Sequence, residues 1–155
     1  MLSIPTEETI SVEWFNACFA RAGLTGAVSG FDAERGGTGQ IGKCVRYTLR
    51  FTDQGGLPAS VIGKFPSDDE NSRQTGVVLL NFLKEVRFYQ ELQHRIAIKT
   101  PRCYFAEIID QGPEFFLLLQ DLAPAQQGDQ LAGCSPQVAK AALAELVGLQ
   151  APAWC

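Results

Sequence analysis

The chain has 155 residues, 46% of them apolar and 19% charged, enough to close one substantial core and unlike a disordered composition. Its 13 Lys and Arg against 17 Asp and Glu leave a formal charge of −4 and no basic cluster, which argues against a nucleic-acid partner, because phosphate contacts need grouped cations. Five cysteines without a C-x-x-C pair, no basic-then-apolar leader and no apolar run near the ~20 residues of a membrane span lead us to expect a cytoplasmic protein with reduced thiols, no metal cluster and no membrane partner.

The first predicted element is a helix over 11–22. Ser11 caps it, Gly23 stops it, and Trp14, Phe15, Cys18 and Phe19 line one face. The run Gly36-Gly37-Thr38-Gly39-Gln40-Ile41-Gly42 then supplies a G-x-G-x-x-G spacing, whose meaning depends on the element after it. A dinucleotide-binding (Rossmann) unit requires a helix at that point. Instead Val45, Tyr47, Leu49 and Phe51 alternate with Arg46, Thr48 and Arg50, the period-two pattern of a half-buried strand. A glycine loop between two antiparallel strands is how kinase-like enzymes cover nucleotide phosphates, since without Cβ atoms the backbone N–H groups approach closely. A glycine-rich hairpin turn is the plainer alternative.

Asp53-Gln54-Gly55-Gly56 reads as a turn and 59–65 as a third strand ended by Pro66. Lys64 shares a face with Ser60 and Ile62, while Val61 and Phe65 point the other way. Such a lysine is either an edge-strand charge or a ligand group. Residues 66–73 read as a solvated acidic link, and 75–95 as one long helix. At about 100° per residue, Leu79, Phe82, Val86, Tyr89 and Leu92 fall on one arc, with Glu85 inside it and Lys84, Arg87 and Glu91 opposite. An inward carboxylate either snorkels to water or takes a partner, and Lys64 is the partner of the right type. The pattern predicts a Lys64–Glu85 ion pair. His94, near the end of that helix, reads as a cation favourable to the helix dipole.

Two more strands, 103–109 and 115–119, are joined by the turn Gln111-Gly112-Pro113-Glu114. After Gln120-Asp121-Leu122 a polar stretch leads to a helix over 136–150, with Val138, Ala142, Leu146 and Leu149 near one face. The pattern as a whole predicts an α+β fold.

In collinear order, Gly37-Thr38-Gly39-Gln40-Ile41-Gly42, Pro58 to Phe65, Glu85-Val86-Arg87-Phe88-Tyr89, Pro101 to Glu107, Leu117 to Pro124 and Gly128 to Cys134 resemble the amino-terminal part of the aminoglycoside-phosphotransferase-like superfamily. The likeness is greatest to its bacterial branch similar to ecdysteroid and choline kinases. That resemblance implies a protein-kinase-like N-lobe with a five-stranded antiparallel sheet, one principal helix and flanking N- and C-terminal helices. The implied division is an N-terminal helical segment (1–25), a nucleotide-binding lobe (26–122), and a hinge linker with the first helix of a second lobe (123–155). The implied ligand is ATP, with Gly37, Thr38, Gly39, Gln40 and Gly42 over its phosphates, Lys64 reaching the α- and β-phosphates and Glu85 fixing Lys64. Adenine would be read by the Gln120 carbonyl and the Leu122 N–H. The parent activity would be transfer of a γ-phosphoryl group to a hydroxyl of a small molecule, with Mg²⁺ held only once the second lobe is present.

The chain departs from the family where Gln120 replaces a commoner glutamate and Gln150 a commoner histidine. A His-x-Asp catalytic loop and its metal-holding aspartate do not occur, and Asp129 stands at the wrong position for either role. We therefore expect a fragment or truncated product with no catalytic or metal-binding residue of its own, inactive alone, and self-associating through its C-terminal helix. The rival readings are a non-catalytic nucleotide-binding or interaction module and a Rossmann domain.

Overall fold

Alternation along the strands divides this molecule into a sheet with two differently used faces. The structure, a computed structural model, describes residues 2–36, 41–126, 128–129 and 131–154. Strands β1 (Ala27–Gly36), β2 (Gly42–Asp53), β3 (Ser60–Pro66), β4 (Cys103–Ile108) and β5 (Phe115–Gln120) form one antiparallel sheet in the order β1-β2-β3-β5-β4. Each pairing is antiparallel and Gly42 opens a strand, so the described residues contain no βαβ unit of the Rossmann kind.

One face carries Val45, Tyr47, Val61, Phe65, Phe116 and Leu118, all buried beneath helix α1 (Val12–Arg21). Trp14, Phe15, Cys18 and Phe19 supply the helix side of that core, as their spacing predicts. Ser11 Oγ accepts the Trp14 N–H at 3.2 Å, a cap worth about 1 kcal/mol. Asn16 ties the helix to β1, its amide donating to Val28 O at 3.0 Å and accepting from Val28 N at 2.8 Å. The Tyr47 hydroxyl, enclosed with Phe15 and Phe31 around its ring, has no hydrogen-bond partner among the described residues. Burial raises its pKa and keeps it neutral; the desolvation of about 1–3 kcal/mol is offset by aromatic packing.

On the opposite face Phe115, Leu117 and Leu119 receive Phe82 and Val86. These come from a helical stretch unlike the single helix expected over 75–95. Helix α2 (Glu70–Val78) begins inside the stretch read as a loop, capped by Asp69, whose carboxylate accepts the Ser72 N–H at 2.8 Å. Leu80 adopts the left-handed conformation, φ 56°, and separates α2 from α3 (Asn81–Arg87). A π-helical turn (Phe88–Leu92) and a 3₁₀ turn (Gln93–Arg95) complete the stretch.

Tertiary contacts explain both irregularities. A Cβ on Gly76 would lie 2.3 Å from Phe82 Cζ, so the Phe82 ring rests directly on the backbone of α2, an approach that a straight continuation would not allow. Further along, Gln90 donates to Ala106 O at 2.9 Å and Gln93 donates to Pro101 O at 2.7 Å, pinning the unwound end to β4 and the residues before it. The bend also breaks the expected apolar arc. Phe82 and Val86 are buried, whereas Leu79 and Leu92 are exposed.

Helix α4 (Pro136–Gln150) has the predicted limits, with Ser135 as its cap. It meets the rest of the chain along residues 97–99. Ala97 N donates to Gly148 O at 2.8 Å, and a Cβ on Gly148 would stand 2.7 Å from Ile98 N, so a side chain there would force the two backbones apart. No helix among the described residues is long and apolar enough to cross a membrane.

Candidate functional site

The half of the second face left open by α3 is built by alternation. Cys44 and Arg46 on β2 stand beside Lys64 and Ile62 on β3, with Leu117 and Leu119 on β5 next in register. Lys64 Nζ forms an ion pair with Glu85 Oε1 of α3, joining the one charge on the inner side of that helix to the one cation on that strand. Their side chains retain 26% and 34% exposure, so the pair borders a space open to solvent. Cys44, paired across the strands with Lys64, is a poor nucleophile there because burial pushes its thiol pKa up.

Along the same face, at the end of β5, lies a cavity of about 340 Å³ lined by Arg46, Ile62, Leu119, Gln120, Asp121 and Leu122 among others. This volume lies within the usual range for small-molecule sites. The Leu122 N–H has no acceptor among the described residues. The Gln120 side chain accepts the Arg102 N–H through its Oε1 at 3.2 Å.

Asp121 organises the turn. Its Oδ2 accepts from Ser60 Oγ at 2.8 Å and Arg46 Nε at 2.9 Å, while Oδ1 accepts the Ala123 N–H at 3.0 Å and Arg46 Nη2 at 3.3 Å. Burial alone would raise its pKa, but the hydrogen bonds from Ala123, Ser60 and Arg46 outweigh that and hold it below the usual carboxylate range. Neither Asp121 nor Arg46 receives a role from periodicity or motif spacing. The available signal was a charge at an alternate position of β2 and another just past the apolar run of β5, without any indication that the two meet.

Of the glycine-rich run, Gly42 opens β2, and Gly37, Thr38, Gly39 and Gln40 lie outside the described residues. Arg35 and Lys43, flanking the run on β1 and β2, converge on two carboxylates distant in sequence. Arg35 donates to Glu7 at 2.8 Å and to Asp68 at 3.0 Å, and Lys43 approaches the same two acids at 3.0 and 2.6 Å. The hydrogen bond from Arg35, reinforced by Lys43, holds the Glu7 carboxyl low; Lys43, then Arg35, does the same for Asp68.

Both folded-state pKa values are depressed. The stabilisation from these acids is therefore full above the ordinary carboxylate range and is lost as pH falls through the depressed values. We expect the melting temperature to fall from about pH 5 to about pH 3 and Glu7→Gln to flatten that slope. Superimposable melting profiles for wild type and variant across this window would show that the network contributes nothing.

A larger cavity, about 890 Å³, borders this network, with Glu7, Lys43 and Asp68 in its wall. It is floored by Leu2, Ile4, Phe65, Ile109 and Phe115, and its lysine, Lys43, is already neutralised by Glu7 and Asp68. It contains none of Lys64, Glu85, Gln120 and Leu122. Among the described residues no group of three or more His, Cys, Asp or Glu side chains is placed to hold a metal ion. Compared with protein-family models and with curated proteins, the chain finds no match in either.

Proposed function

We propose that this chain is the nucleotide-binding lobe of an ATP-dependent kinase acting on a small-molecule hydroxyl, with the sheet and helices in the roles of a protein-kinase-like N-lobe. The observation that carries this reading is the Lys64–Glu85 pair on the sheet face shared with the cavity beside Leu122. Lys64 would meet the α- and β-phosphates, Glu85 would hold its ammonium in place, and the Leu122 N–H with the Gln120 carbonyl would read the adenine edge. The run containing Gly37, Thr38, Gly39, Gln40 and Gly42, between the ends of β1 and β2, would cover the phosphates. Mg²⁺ fits this reading only as an ion carried by the nucleotide and held by carboxylates of a second lobe, because the described residues offer no ligand set. The protein would work in the cytoplasm.

ATP titrated into the purified chain in a calorimeter tests the reading. The expected result is saturable binding that weakens when the base or the triphosphate is removed. The same chain, incubated with Mg-ATP and a panel of hydroxylated small molecules, is expected to release no ADP above background, since hydroxyl-orienting and metal-holding aspartates supply the positioning and charge stabilisation of the reaction. Absence of ATP binding overturns the reading, and robust turnover overturns the assignment of the chemistry to a second lobe.

A further inference from the structure

We propose that Asp121 is a positioning residue, fixing the turn after β5 so that the Leu122 N–H is presented to the acceptor nitrogen on the edge of a bound adenine. The inference rests on the nucleotide reading and extends it to the device that sets base selectivity.

A chain leaving the edge of a sheet needs an anchor if one of its N–H groups is to hold a fixed direction. The Asp121 side chain, only 7% exposed, turns back under the strand end and satisfies both of its oxygens on three different parts of the chain. Ser60 Oγ donates to it from β3, Arg46 from β2, and the Ala123 N–H from the turn itself. Residues 121 and 123 are thus held by one carboxylate, the local geometry of an aspartate turn. Leu122 lies between them. Its carbonyl is already used, accepting the Ala125 N–H at 2.9 Å, and its N–H has no acceptor among the described residues. A donor so constrained discriminates between ligands by the cost of leaving it unpaired, a larger effect than the gain from a flexible donor. The same carboxylate holds Arg46 in the cavity wall, so one group sets both the donor and the side of the space beneath it.

The test compares ATP with 1-deaza-ATP, in which the N1 acceptor is replaced by C–H. Wild type should prefer ATP by about tenfold, in keeping with one unsatisfied donor. Asp121→Ala should weaken ATP binding by a similar factor and bring the ratio of the two affinities close to one, leaving 1-deaza-ATP binding little changed. A purely structural role would lower both affinities together and leave the ratio unaltered.

Asp121→Asn, which keeps the size and the Ser60 contact but loses the charge facing Arg46, should give an intermediate ratio, and carries the test if the alanine variant does not fold. A folded variant that retains the wild-type ratio overturns the proposal, as does a wild type that binds both nucleotides equally. A wild type that binds no ATP instead removes the nucleotide reading beneath it.

Discussion

Lys64→Ala is expected to weaken ATP binding by at least about tenfold, while the melting temperature moves by no more than about 4 °C. The two effects separate because the pair is partly exposed. With its side chains at 26% and 34% exposure, the Lys64–Glu85 bridge should contribute only about 0.2–1 kcal/mol to folding. A charge-assisted hydrogen bond from Lys64 to a phosphate oxygen is worth about 1.5–3 kcal/mol, equivalent to a factor of roughly 10 to 150 in affinity. Glu85→Gln should weaken binding less than Lys64→Ala, since the ammonium remains but is no longer held in one direction. Calorimetric titration and a thermal melt on the same samples measure both quantities. Unchanged ATP affinity in a folded Lys64→Ala protein would remove the main support for the nucleotide reading, and a collapse of the melting temperature would assign the pair to the fold.

The second large effect concerns association. Helix α4 is fastened on one side by the Gly148 carbonyl and by Glu145, which accepts the Lys99 N–H at 3.2 Å. On the side away from those residues, Leu143 and Val147, one turn apart, are 65% and 63% exposed, and Trp154 beyond the helix is 83% exposed. The helix therefore does not fold back to hide its apolar surface. Contiguous apolar patches above a few hundred Å² are uncommon on soluble monomers, and burying each such leucine or valine is worth about 1.5–3 kcal/mol.

We expect the 155-residue chain to self-associate through α4 in a concentration-dependent manner, by side-by-side packing or by exchange of the helix. Leu143→Glu should raise the dissociation constant by at least about thirtyfold, the factor for a central anchor worth ~2 kcal/mol. Light scattering over a range of concentrations decides the matter: a wild-type monomer throughout would rule out the association.

Much of this architecture was legible because it is local. Period-two alternation at Val45, Tyr47 and Leu49 and at Val61 and Phe65 assigned those side chains to one face, and the structure buries all five there. Ser11 marked its helix start because an N-cap needs only a side-chain oxygen within three residues of an orphan N–H. The Lys64–Glu85 pair, although 21 residues apart, was also accessible, since a lone inward carboxylate requires a partner and one cation of the right kind lay nearby.

Other features depend on contacts that no local pattern contains. The break at Leu80 arises from Phe82 seating on the backbone of Gly76, and it displaced Leu79 and Leu92 from the arc that a continuous 3.6-residue period assigned them. The Asp121 cluster joins residues 61 and 75 positions apart, and the Glu7–Arg35–Lys43–Asp68 network joins three segments of the chain. Propensity and periodicity act over a few residues, so the sequence by itself determined the elements, their faces and the need for a charge partner. Which distant donors satisfy a carboxylate depends on where the packed sheet brings them, and the tertiary structure alone decided that.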